Sequence, residues 1–231
     1  MIFLSEGLAR RGHRIFFGCR EESKIYKALK GGPVKVVPMR FARFGGEAVE
    51  KIAHLCREEQ IQIVNAHSSQ DRYAALKAKL LHGLKAKVVF TRRQMPDSSR
   101  LSGLLSTLGA DRVIAVSNAV AEALIRRWVS ASKIEVIYNG TPPEKYKAVE
   151  QGQVEASRKK LHLEPGIPVI GCIARKKRQD VLLEACPYLR SDAVVLLVGL
   201  EETAEWERLI QRIKPRQRII ILPPQERVLH F

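Results

Sequence analysis

A chain of 231 residues, 45% hydrophobic and 28% charged, holds enough apolar material for one large α/β domain or two small ones. Forty Lys+Arg against 24 Asp+Glu leave a formal net charge of +16, which suits an anionic partner: nucleic acid, an anionic membrane surface or a phosphorylated substrate. No run approaches the ~18 consecutive apolar residues of a membrane span, Met1–Leu4 is too short for the apolar core of a signal peptide, and four cysteines without CxxC spacing read as reduced, buried thiols.

Phe3–Arg11 reads as the second half of an amphipathic helix, with Leu4 and Leu8 on one face and Gly12 as the stop. A repeated alternation follows. Short β-rich runs are expected at Arg14–Cys19, Val34–Pro38, Ile61–Ala66, Lys87–Thr91, Arg112–Val116 and Ile134–Tyr138. Amphipathic helices are expected between them at Glu22–Lys30, Glu47–Glu59, Arg72–His82, Ser99–Leu108 and Asn118–Trp128. The strands are nearly continuous apolar runs, which predicts burial on both faces and therefore a parallel, doubly wound α/β sheet. In the last helix Val120, Leu124 and Trp128 share one face and are expected in the core, with Ser117 or Asn118 as the cap.

The apolar pattern lapses after Thr141, and residues 146–160 are expected to form an exposed linker. A second α/β pattern then begins. It has a helix near Ser157–Leu161, strands at Val169–Ala174, Ala193–Val198 and Arg218–Leu222, and helices at Gln179–Tyr188 and Thr203–Ile213. The expected organisation is therefore residues 1–145, a linker at 146–160, and a partial second domain at 161–231. The charge is uneven: residues 1–145 carry 25 Lys+Arg against 13 Asp+Glu, and residues 146–231 carry 15 against 11.

The segment 171–185 holds the densest chemistry. An apolar strand runs into four cations, Arg175, Lys176, Lys177 and Arg178, and a helix starts near Gln179. Open α/β sheets hold ligands at the carboxyl ends of their strands, and clustered cations there suit a diphosphate. Other strand ends carry polar residues too. His67 and Ser68 follow one strand, and Thr91, Arg92 and Arg93 follow another. Asn139 and Gly140 fit a turn, and Gly199 ends the Leu-Leu-Val-Gly strand, where bare backbone admits a close ligand. Ser68 and Ser69 have an equal claim to capping the next helix. No His/Cys/Asp/Glu group has metal-ligand spacing, so no metal is expected, and neither a P-loop nor G-x-G-x-x-G occurs.

Four segments together resemble the GT-B-fold, nucleotide-sugar-dependent glycosyltransferases, specifically the retaining family 4. They are Leu4–Ile15, the strand-end histidine segment Ile63–Ser69, Val116–Val120 with Lys133–Gly140, and Gly171–Ala185 with Leu196–Gly199. The resemblance implies two Rossmann-like doubly wound domains. The first is on the acceptor side and the second binds a nucleotide-diphosphate sugar as donor substrate, without a further cofactor. It implies that Arg175 and Lys177, or Lys176 in its place, grip the donor diphosphate, and that His67 serves catalysis beside the transferred sugar or acceptor. Ser68, Arg92, Arg93, Asn139, Gly140 and Gly199 are the further candidates for the cleft. One departure stands out: the family spaces its two cations further apart and often has glycine where Arg178 stands. The family's Gly-Gly loop and its Glu-x7-Glu element are expected to lie outside this chain, which reads as truncated at both ends.

The resemblance further implies a glycan or glycolipid acceptor, in bacterial envelope polysaccharide or lipopolysaccharide synthesis. It also implies a cytoplasmic location at the inner face of the membrane, where the basic acceptor half suits anionic lipid. Two other readings stay open: an inactive, truncated GT-B binding module, and a basic nucleic-acid-binding protein. The second is disfavoured by an aromatic content of only 6% and by the lack of a recognition motif.

Overall fold

The computed structural model describes residues 1–42, 46–96, 100–142, 149–225 and 228. The chain divides into two compact units, Met1–Thr141 and Pro142–Phe231.

In the first unit helix α1 (Ile2–Arg10) leads through a left-handed Gly12 (φ +88°) into strand β1 (Phe16–Cys19). Then come α2 (Lys24–Leu29), β2 (Lys35–Pro38), α3 (Glu47–Glu58), β3 (Ile63–Ala66), α4 (Ser69–His82) and β4 (Lys87–Arg92). The unit continues through α5 (Arg100–Gly109), β5 (Arg112–Ala115), α6 (Asn118–Ile125) and β6 (Ile134–Val136). All observed pairings are parallel: β1 with β2 in one ribbon, and β3-β4-β5-β6 in a four-stranded sheet. Two cores hold the unit together. Val88, Phe90, Val113, Ala115, Val120 and Leu124 join the four-stranded sheet to α6. Met39, Val49, Ile52, Ala74 and Ala78 join β2, α3 and α4, and Val64 of β3 packs against both cores.

The second unit contains α7 (Gln151–Lys160), β7 (Val169–Ile173), α8 (Gln179–Ala185), β8 (Val194–Val198), α9 (Ala204–Ile213) and β9 (Arg218–Leu222). Its strands form a parallel sheet in the order β7-β8-β9. Val195 and Leu197 pack with Leu183, Leu200 and Trp206. At about 1.5–3 kcal/mol for each fully buried large apolar side chain, this cluster is the main stabilising element of the unit.

Several expectations change. The stretch 146–160 contains a ten-residue helix, α7, that buries none of its side chains; residues 146–148 lie outside the described residues. Among the described strands β8 is buried at every position, whereas β3 and β7 leave residues exposed, so burial on both faces does not hold along every strand. Trp128 leaves the core: α6 ends at Ile125, Trp128 takes a left-handed φ of +65°, and it is 56% exposed. The break in helical geometry takes the side chain off the i, i+4, i+8 face. The cysteines are free as expected, but only Cys19 and Cys186 are buried, while Cys56 and Cys172 are intermediate.

Candidate functional site

Strands β3 to β6 run parallel, so their carboxyl ends share one edge of the sheet. His67 directly follows β3, Arg92 ends β4 with Arg93 next, and Ser117 closes the β5 turn. Ala66 pairs with Phe90, which brings His67 beside Thr91 and the two arginines. Asn139 and Gly140 lie beyond β6 in an exposed, irregular stretch. The expected turn is not formed there: Gly140 takes no positive φ and nothing stands within 4 Å of a Cβ added to it.

The backbone around His67 is tied down by a capping box. The Asp71 N–H donates to Ser68 Oγ (3.4 Å), while the Asp71 carboxylate accepts from the N–H groups of Ser68 (2.6 Å) and His67 (3.0 Å). Ser68 is thus committed to the start of α4, and the Arg72 Nε bonds its carbonyl. The imidazole differs. Its Nδ1 is buried without a hydrogen-bond partner among the described residues. Burial, and then the Arg93 guanidinium, push the His67 pKa down to about 4, against a smaller upward pull from Asp71. At neutral pH the ring is uncharged and has an unused polar atom. The positive charge at this edge therefore comes from Arg92 and Arg93. Arg93 is exposed and half-buried Arg92 closes its strand. Beneath them Thr91 donates to Asn65 (2.8 Å), bridging β4 to β3.

The second cluster lies at the carboxyl end of β7. Arg175 to Arg178 are all exposed in the loop between β7 and α8. Gln179, only 2% exposed, organises this loop. Its Nε2 donates to the carbonyls of Ala174 (3.2 Å) and Arg175 (3.0 Å), and its Oε1 accepts from the Lys177 N–H (2.7 Å). Gly199 closes the other side, at the end of β8. It has a φ of +104°, and a Cβ there would stand 2.6 Å from the Ala174 carbonyl oxygen. Bare backbone is thus required at Gly199 by Ala174, the residue directly after β7, before any ligand is considered.

The four cations divide by partner. Lys176 pairs with Glu205 and lies over the Trp206 ring at 5.5 Å. Arg178 pairs with Asp180 (3.3 Å). Among the described residues, Arg175 and Lys177 have no carboxylate partner. The structure therefore separates Lys177 from Lys176, which the sequence left as alternatives. Gln179 was not among the sequence candidates, although a glutamine directly after a run of cations at a strand-to-helix junction was the available signal. Glu205 and Trp206 gave no sequence signal at all, since they lie 29 and 30 positions after Lys176. Among the described residues no group of three or more His, Cys, Asp or Glu is placed to hold a metal ion.

Comparison with known proteins places this arrangement. The model of Glycosyltransferase Family 4 matches residues 1–145, and the chain belongs to that family. Among solved structures, a glycosyltransferase from Rickettsia africae is 20% identical, with a TM-score of 0.82 over 99% of this chain and 65% of its own. Anabaena HepE in complex with UDP-glucose is 19% identical, with a TM-score of 0.79 over 97% of this chain and 64% of its own. The apo form of the lipopolysaccharide outer core galactosyltransferase WaaB is 18% identical, with a TM-score of 0.66 over 97% and 62%. These likenesses establish the fold, two Rossmann-like units of the GT-B type, and the chain spans about two thirds or slightly less of each relative. No curated protein sequence matches.

Proposed function

We propose that this chain carries the acceptor-side unit and part of the donor-side unit of a glycosyltransferase. The enzyme would move a sugar from a nucleotide-diphosphate sugar to a glycan or glycolipid acceptor, with retention of anomeric configuration. The observation that carries the reading is the family match over residues 1–145. Arg175 and Lys177, without a carboxylate partner among the described residues, stand on the Gln179-braced loop and support it. HepE, of the same fold, is seen with UDP-glucose.

The leaving nucleoside diphosphate gains negative charge as the glycosidic bond breaks, so fixed cations that meet it stabilise the transition state more than the ground state. Arg175 offers a forked donor for two phosphate oxygens and Lys177 a point charge. Their loop is held by side-chain-to-backbone bonds, so little reorganisation accompanies binding. On the first unit the uncharged His67 hydrogen-bonds a sugar or acceptor hydroxyl, with Arg92 and Arg93 attracting an anionic group of donor or acceptor.

The likeness to WaaB favours an envelope lipopolysaccharide or polysaccharide destination. The net +12 on residues 1–145 suits docking at the cytoplasmic face of an anionic membrane. Among the described residues no helix is long and apolar enough to cross one.

Thermal stabilisation by UDP and by UDP-glucose tests the donor assignment. The expected result is an upward shift of the melting temperature that Arg175→Ala abolishes. A chain indifferent to every nucleotide and nucleotide sugar, or a variant that responds like the parent, overturns it. The anomeric configuration of the product, read by NMR on an active enzyme, decides the stereochemistry.

A further inference from the structure

Among its described side chains, helix α5 is packed inside out. Its inner face is made of small residues: a Cβ at Gly103 would overlap the Arg127 carbonyl, and one at Gly109 would overlap the Leu76 side chain. Leu101, Leu104 and Leu108 recur at i, i+3 and i+7 on the opposite face, at 64%, 39% and 72% exposure. The neighbouring α4 continues the ridge. Leu76 touches Gly109, Leu80 follows one turn on, about 6 Å along the axis, and Leu80 and Leu81 are both 72% exposed. A water-facing helix ordinarily turns its leucines inward. Five leucines on one outward ridge mark a surface built to be covered.

Charge indicates what covers it. From Arg72 to Arg112 the chain holds nine Lys+Arg and two Asp, with no Glu. Asp111 is already committed, accepting from Lys79 and from the Val88 N–H, with Lys87 3.7 Å away. Lys77 lies one turn before Leu80 and Leu81, and exposed Lys85 and Arg112 follow the ends of α4 and α5. A leucine ridge bordered by Lys and Arg, in a stretch almost without carboxylates, is the pattern of a helix lying in an anionic lipid interface.

We propose that the outward leucines of α4 and α5, with Lys77, Lys85 and Arg112, form a docking surface for an anionic lipid bilayer. The inference gives the membrane association proposed above a specific location, and it does not depend on sugar transfer. Leu80, Leu104 and Leu108 enter the acyl boundary while the lysines and Arg112 meet lipid phosphates.

Co-sedimentation of the full chain tests this. The vesicles are phosphatidylcholine with about 30% phosphatidylglycerol, and phosphatidylcholine alone. The chain is expected to pellet with the anionic vesicles and to be released by high salt. Leu80→Glu with Leu104→Glu should lower partitioning at least about tenfold with an unchanged circular-dichroism melt. Lys77→Glu with Lys85→Glu, which leaves the leucines intact, should remove the preference for phosphatidylglycerol. The proposal falls if the parent ignores both vesicles, if the leucine variant binds like the parent, or if that variant disrupts a dimer in a chain that binds no vesicle. A leucine variant that loses vesicle binding but keeps its UDP-glucose stabilisation supports the proposal and leaves the donor reading standing.

Discussion

His67 is a histidine whose charge is suppressed by its surroundings. Its pKa falls from the ordinary 6.5 to about 4, through burial and then Arg93. The folded state therefore favours the neutral ring, and this contribution to stability is fully present above pH 6.5 and is lost as pH falls through 4. Equilibrium urea unfolding across that window should show a decline that is shallower in His67→Gln. An identical pH profile in both proteins would remove His67 from the account. At the other cluster, Gln179 is as consequential as the cations it serves. Gln179→Ala leaves the Lys177 N–H and the Ala174 and Arg175 carbonyls without their side-chain partner, a loss of about 1–3 kcal/mol. Denaturant unfolding should register that cost, and nucleotide affinity should fall even though every cation remains. Arg175→Ala should leave unfolding unchanged, because the exposed guanidinium has no partner among the described residues to lose.

At the scale of single elements, end chemistry and glycine placement decide the geometry. The capping box of Ser68 and Asp71 fixes where α4 starts and so where His67 sits. Ser68→Ala should cost about 1 kcal/mol in thermal or chemical unfolding. Gly199 joins β8 to the basic loop at a distance only bare backbone tolerates. Gly199→Ala meets both a left-handed φ and the Ala174 carbonyl, and should destabilise by about 1–3 kcal/mol, with a loss of nucleotide-induced stabilisation that exceeds the loss of fold. If both losses are absent, the close approach at Gly199 does not govern the loop. Helix α5 shows the same logic on a larger surface, since its glycines allow close packing and thereby leave the leucines facing out.

Across the whole molecule, periodicity and strand composition were sufficient to read the alternating strands and helices, the parallel α/β class and the GT-B resemblance. Each is a local pattern repeated many times, so errors at single residues do not accumulate. The cations of residues 175–178 were legible for the same reason, being adjacent in the chain. The reading failed where one residue's geometry overrode the pattern: Trp128, turned off its helical face by a left-handed φ, and Gly140, where no turn forms. It also placed Lys177 ahead of Lys176 without sight of Glu205 and Trp206, the partners of Lys176, because these are distant in sequence.

Sequence alone thus determined that this chain folds as parallel α/β units with a basic strand-to-helix loop, because hydrophobic period and charge clustering are properties of neighbouring residues. Tertiary structure decided which of the four cations have a carboxylate partner among the described residues, that Gln179 braces their loop, that the His67 ring is uncharged with a buried nitrogen unpaired among those residues, and that Leu101, Leu104 and Leu108 face outward. Those outcomes depend on burial and on partners brought together from remote positions, which chain order does not record.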